Sequence, residues 1–199
     1  LLVALSAFFG ALVILLKPAC LGIRRFWLWY ITQAVAEDNI SNLTHIQSIN
    51  DRMWELENKL DSVDRVLMFA GHNCGGVPSL EKPYYITQIG KALNNESRLS
   101  LGDYTRVEAG QQYVEMLLKL NKDKVISYVT AEADSGQLKD YYESEGVVHS
   151  IIYYLRITRG NSFLYISVAT KDKDGFSKRD RQRINGMLTK IQSHANQLV

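Results

Sequence analysis

Cysteine is scarce in this chain. Its 199 residues hold two, Cys20 and Cys74, and they stand in stretches of different character. That excludes a disulfide-built scaffold and fits a reducing surrounding. An excess of one charge is missing too: 23 Lys and Arg against 21 Asp and Glu leave a net charge of +2. Basic residues are interleaved with acidic ones, so no stripe suited to a phosphate backbone forms, and no nucleic-acid partner is expected. No repeat or low-complexity segment occurs. Asn42–Thr44 and Asn95–Ser97 match the glycosylation sequon, a pattern short enough to arise by chance.

What is present begins with an apolar run. Leu1 to Leu16 carries no charge and one hydroxyl, Ser6. A spanning helix needs about 20 apolar residues, so the run is slightly short. Lys17 and Pro18 close it. Arg24 and Arg25 follow with Phe26, Trp27, Trp29 and Tyr30, the pattern of an interfacial belt. A cleaved signal would need small residues before the cut, and Lys17 stands at −3 of the one suitable position, before Cys20. Residues 1–17 therefore read as a retained transmembrane helix and 18–42 as a juxtamembrane segment. Gly22 to Ala36 is too polar for a second span. The positive-inside rule then predicts a single-pass membrane protein with its C-terminal domain cytoplasmic.

Ile46, Ile49, Met53, Leu56, Leu60 and Val63 recur at 3-4-3-4-3 spacing, the seam of a coiled coil over residues 43–63. In a parallel dimer, Arg52 would face Glu57 and Lys59 would face Asp64, both opposite in sign. This predicts a parallel homodimer or higher homo-oligomer. The alternative is one amphipathic helix packed on its own domain.

After Val63 the period changes. Val66–Phe69 and Tyr84–Ile89 suit strands. Val107, Gly110, Val114, Leu117 and Leu118 keep helical spacing. Val125–Ala131 alternates as a strand, and Ser135 is placed to cap a short helix closed by Gly146. Val147–Ile157 and Phe163–Thr170 form a predicted hairpin around Arg159–Asn161. Ser177, with Asp180 three residues on, opens a last helix whose Ile184, Met187, Leu188, Ile191, Ala195 and Leu198 share a face. The order gives an α+β class: a mostly antiparallel sheet over 64–199, with helices on one face.

The stretch Asn161–Leu198, a strand, a short connection with Phe176 and a capped apolar-faced helix, resembles the ending of a GAF domain. Asp64–Asn73 is similar to the first GAF strand after its leading helix. The resemblance covers about Leu43 to Val199. It implies a small-molecule or dimerisation module of the kind found in signalling proteins. Phe69–Gly76 further resembles membrane-anchored GAF-like proteins of phages and mobile elements, which carry His-Asn-Gly residues after that strand. Here Ala70 and Gly71 are inserted and Cys74 precedes the glycines.

His72, Asn73 and Cys74 leave the first strand side by side. As a reaction centre they lack an orienting third group, an oxyanion motif and a second thiol. As a metal centre, His72 and Cys74 supply two ligands of four; His149 could approach, while His45 and His194 lie in helices. No catalytic residue, no metal site and no cofactor is expected, and the chain reads as a non-enzyme. A turn suffices for Gly75 to Pro78. The GAF resemblance implies a small-molecule ligand pocket, for which His72, Asn73, Cys74, Tyr84, Tyr85 and Tyr113 are the candidates, with Tyr128 or Tyr153 behind. The expected function is a sensory or scaffold protein acting through ligand or partner binding and self-association. Alternatives are a structural or lysis-related membrane protein of a phage or mobile element, and a Cys74-based redox enzyme.

Overall fold

Apolar residues at the spacing described make residues 42–59 helical (α1). In this computed structural model residues 42–72, 84–93, 104–158 and 162–198 are described. The predicted span 1–17 and the segment from 18 to 41 lie outside them. Among the described residues no helix is long and apolar enough to cross a membrane. Residues 44–199 form one unit.

Strands β1 (Arg65–His72), β2 (Tyr85–Leu93), β3 (Val107–Glu108), β4 (Val125–Val129), β5 (His149–Ile157) and β6 (Phe163–Thr170) build one sheet in the order β3-β2-β1-β6-β5-β4. Every pairing is antiparallel. Central strand β6, FLYISVAT, is buried along its whole length, because layers cover both of its sides. The expectation of helices on one face is therefore corrected.

One layer holds α1 and α4 (Lys178–Ala195). Met53, Leu56, Ile184, Leu188 and Ile191 pack there on Val66, Met68, Ile151, Leu155, Ile166 and Val168. The other holds α2 (Gln111–Asp123) and α3 (Gln137–Glu145), set over Leu67, Phe69, Ile126, Ile152 and Tyr165. Alternation along each strand sends neighbouring residues to opposite layers.

The predicted seam faces this chain's own sheet. Ile49, Met53 and Leu56 are 0% exposed, Leu60 and Val63 follow in the turn after α1 and are also buried, and Ile46 packs beside them. The flanking charges are engaged within the chain as well. Arg52 and Lys59 both pair with Glu55 inside α1. Asp64 Oδ2 accepts from Thr170 Oγ1 at 3.1 Å and from the Lys171 N–H at 2.8 Å. Glu57 is buried, and its carboxyl is pushed up by burial and by neighbouring Asp64. The amphipathic-helix alternative describes how these side chains pack.

Element boundaries show three further corrections. Val107 belongs to the two-residue strand β3, paired with Ile86, and α2 starts after Gly110. Residues 130–132 leave β4 as a turn of 3-10 helix, where Thr130 Oγ1 donates to the Val147 carbonyl at 2.8 Å. Gly136, not Ser135, precedes α3: a Cβ at Gly136 would stand 1.7 Å from Gln112 Oε1. Two expected caps match. Gly146 ends α3 at φ 74°, the left-handed conformation that glycine adopts without strain. Ser177 Oγ accepts from the Asp180 N–H at 3.1 Å and donates to Asp180 Oδ2 at 2.7 Å. The predicted hairpin turn 159–161 is outside the described residues, but the Thr158 N–H donates to the Ser162 carbonyl at 2.9 Å across its mouth.

Candidate functional site

Strand alternation decides which candidate residues can meet. His72 is paired across strands with Tyr85, their rings 6.1 Å apart, and its Nε2 is 3.4 Å from Thr87 Oγ1. The Arg106 guanidinium lies over the Tyr85 ring, 4.9 Å from its centroid. Tyr84 packs in the α2–α3 layer instead. Its ring lies across Gly71, where a Cβ would come within 2.6 Å of Tyr84 Cε1. Burial pushes the Tyr84 hydroxyl up to about 12. The structure thus separates His72 and Tyr85 from Tyr84 and Tyr113. Asn73 and Cys74 lie outside the described residues. Tyr153, offered as a backing residue, bonds Asn185 of α4 on the far layer.

Tyr113 sits deep in the α2–α3 layer, and its hydroxyl shares a 2.8 Å hydrogen bond with that of Tyr165. Burial holds both phenols protonated, with pKa raised above the ordinary tyrosine value. Next to Tyr113 opens a cleft of about 530 Å³ between α2, β4 and the segment leading into α3. Tyr113, Met116, Ile126, Tyr128 and Leu138 supply its apolar and aromatic lining, while Glu115, Lys119, Glu132 and Asp134 stand at its polar side. Of the described candidate pocket residues, Tyr113 alone is in this lining; the backing residue Tyr128 joins it. Met116 and Leu138 were legible only as ordinary apolar positions of amphipathic helices.

Beneath α3 lies a buried polar network that sequence reasoning missed. Arg65, 0% exposed, places Nη1 2.7 Å from Glu145 Oε2. Tyr104 donates to Glu145 Oε1 at 2.7 Å. The Arg65 guanidinium also stands 5.7 Å from the Tyr142 ring centroid. Tyr142, Ser150 and Ser167 join their hydroxyls in a triangle with edges of 3.1, 3.0 and 2.9 Å. Arg65 Nε and Nη2 have no hydrogen-bond partner among the described residues. A buried pair of this kind costs much desolvation and is sensitive to loss of either member. It joins three elements: the start of β1, the end of α3 and the strand-entry segment at Tyr104. A lone Arg in an otherwise apolar strand start, RVLMF, was the available sign.

Among the described residues no group of three His, Cys, Asp or Glu is placed to hold a metal ion. A second groove of about 450 Å³ runs between Lys59 at the end of α1 with Leu60 just beyond it and Arg183, Met187 and Lys190 on α4. Its rim is cationic.

No protein-family model matches the sequence, and no curated protein matches it. Solved structures do share its fold. The phycoerythrobilin-bound GAF domain of a cyanobacterial phytochrome superposes with a TM-score of 0.55 at 14% identity, over 84% of this chain and 92% of that one. The GAF domain of a two-component sensor histidine kinase from Bacillus halodurans gives 0.53 at 11% identity, over 75% and 92%. A type II free methionine-R-sulfoxide reductase from Thermoplasma acidophilum gives 0.50 at 11%, over 78% and 94%. At these identities the likeness is one of fold: the chain carries a GAF-like domain.

Proposed function

We propose that this chain is a membrane-anchored sensory or scaffold protein whose GAF-like domain takes a ligand or partner in the α2–β4–α3 cleft. One observation carries the reading. Helix α3, whose first turn lines the cleft, ends at Glu145, and Glu145 holds Arg65, the first residue of β1 after the α1 turn. Occupancy that shifts α3 thereby acts on the junction between sheet and connector helix. Residues 1–17 anchor the chain in this proposal, and Lys17, Arg24 and Arg25 orient the domain towards the cytoplasm.

Self-association is part of the same proposal. Because the 3-4 seam is covered, it uses the outer side of α1, where Trp54 is 42% exposed, together with the α1–α4 groove. The rival structural or lysis-related reading needs assembly alone, and the redox reading needs Cys74.

The test is a melting-temperature screen of the full chain in detergent against a small-molecule library, repeated with Leu138→Trp, which fills the cleft. The sensory reading expects stabilisation that the substitution abolishes. Higher-order assembly that no compound or cleft substitution alters would favour the structural reading. Reductase turnover lost on Cys74→Ser would favour the enzyme.

A further inference from the structure

The cleft has an unusual wall. Ile126, Ser127, Tyr128 and Val129 all line it, four residues in succession. Successive side chains of a strand point to opposite faces, so a cleft lying on one face would meet every second residue. A cleft that meets all four is lined by backbone as well as side chains, so it touches the main chain of β4, the last strand at this end of the sheet.

That edge is open. Among the described residues β4 ends the sheet and pairs only with β5. The Tyr154 N–H donates to the Lys124 carbonyl at 2.9 Å and the Thr130 N–H to the Val148 carbonyl at 3.0 Å. In an antiparallel ladder the residues that exchange bonds with one neighbour alternate with those that face away. Lys124, Ile126, Tyr128 and Thr130 thus turn their backbone groups to β5. Val125, Ser127 and Val129 turn theirs outward, and these have no partner among the described residues. Natural edges are usually blunted by charge, proline or a bulge. VISYV has neither charge nor proline, and its ladder with β5 runs without a register shift. Val125, the first residue of β4, adds exposed apolar surface at 43% exposure.

We infer that the cleft is a strand-addition site: its occupant is an extended peptide segment of a partner protein, hydrogen-bonded to Val125, Ser127 and Val129. The inference rests on the cleft reading above and names its occupant. Backbone bonding supplies the attachment, and alternate peptide side chains enter the lining of Tyr113, Met116 and Leu138. The cleft, of about 530 Å³, has α2 and residues 132–139 beside the main chain of β4. Charge narrows the partner further. Three carboxylates, Glu115, Glu132 and Asp134, stand along the cleft against two cations, Lys119 and Lys139, and Lys139 is already turned to the Ala133 carbonyl at 3.0 Å and to Glu143 at 3.9 Å. The fitting segment is apolar at alternate positions and neutral to basic between them.

Hydrogen exchange on the full chain tests this. The probe is an acetylated, amidated peptide of sequence Lys-Thr-Val-Thr-Val-Thr-Lys, compared with the same peptide N-methylated at alternate residues. The amides of Val125, Ser127 and Val129 are expected to exchange freely alone and to slow at least tenfold with the first peptide only. Ser127→Pro, which removes one outward N–H and no bond to β5, is expected to weaken peptide binding at least tenfold. No added protection at any of the three amides overturns the inference. So does protection already present without peptide that falls on dilution of a sedimenting dimer, since this assigns the edge to a second copy. A compound that shifts Tyr113 and Met116 resonances without protecting the edge amides overturns strand addition while leaving the cleft a ligand site. If nothing shifts those resonances, both readings fail.

Discussion

The two faces of the sheet are built from different chemistry. Towards α1 and α4, the contacts are mostly aliphatic: Ile49, Met53, Leu56, Ile166, Val168, Ile184 and Ile191 are all fully buried, with Tyr153 and Phe176 beside them. Towards α2 and α3, the same strands present Arg65, Tyr165, Ser150 and Ser167 to Tyr104, Tyr113, Tyr142 and Glu145. An aliphatic layer gains from area alone and tolerates imprecise geometry. A buried polar layer is stable only when its groups are partnered, so it is specified by geometry. The first face holds the domain together; the second surrounds the cleft and is where a displacement of α3 would be felt.

Breaking that contrast gives graded effects. Arg65→Met leaves Glu145 buried without its cation and is expected to cost about 3–5 kcal/mol in denaturant unfolding. The double variant Arg65→Met with Glu145→Leu should regain much of that loss, because the charge and its desolvation go together. On the other face, Leu56→Ala is expected to cost about 2–5 kcal/mol, with no such rescue by a second truncation. Equal recovery in both layers would dissolve the distinction.

Alkaline pH probes the buried phenols next. The folded phenols of Tyr84 and Tyr128 are raised by burial to about 12, and those of Tyr113 and Tyr165 are raised as well. A raised folded pKa means that stability is fully present below the ordinary value near 10 and is lost as pH climbs through the folded one. Ultraviolet titration should therefore show these phenols ionising late and together with loss of fold, between pH 10 and about 12 for Tyr84 and Tyr128. Smooth ionisation near pH 10 with the fold intact would contradict the buried placement.

Smaller changes sharpen the picture. Ser177→Ala removes the α4 cap and should cost about 1 kcal/mol by thermal unfolding. Tyr113→Phe removes one side of the Tyr113–Tyr165 bond and should cost roughly 0.5–1.5 kcal/mol. Its cleft-side ring remains, so peptide protection of Val125 and Ser127 is expected to persist.

The elements most legible in the sequence were those whose signals are local. Ser177 with Asp180, Gly146 after α3, and the runs 149–157 and 163–170 carry their reasons within a few residues. So does the 3-4 apolar spacing of α1. What that spacing could not show was the partner of the seam: a facing copy and the chain's own sheet ask for the same residues. The site was less legible still. His72 and Tyr85 fall on one side of the sheet and Tyr84 and Tyr113 on the other, a consequence of register and not of proximity in sequence.

The sequence by itself determined the GAF-like order of helices and strands, because hydrophobic period, turn residues and caps act over short range. Only the tertiary structure decided that both faces are covered, that Arg65 meets Glu145, 80 positions further along the chain, and that β4 is left as an open edge beside Tyr113. Those facts depend on strand order and register, which set which distant residues share a face and which backbone groups stay unpaired.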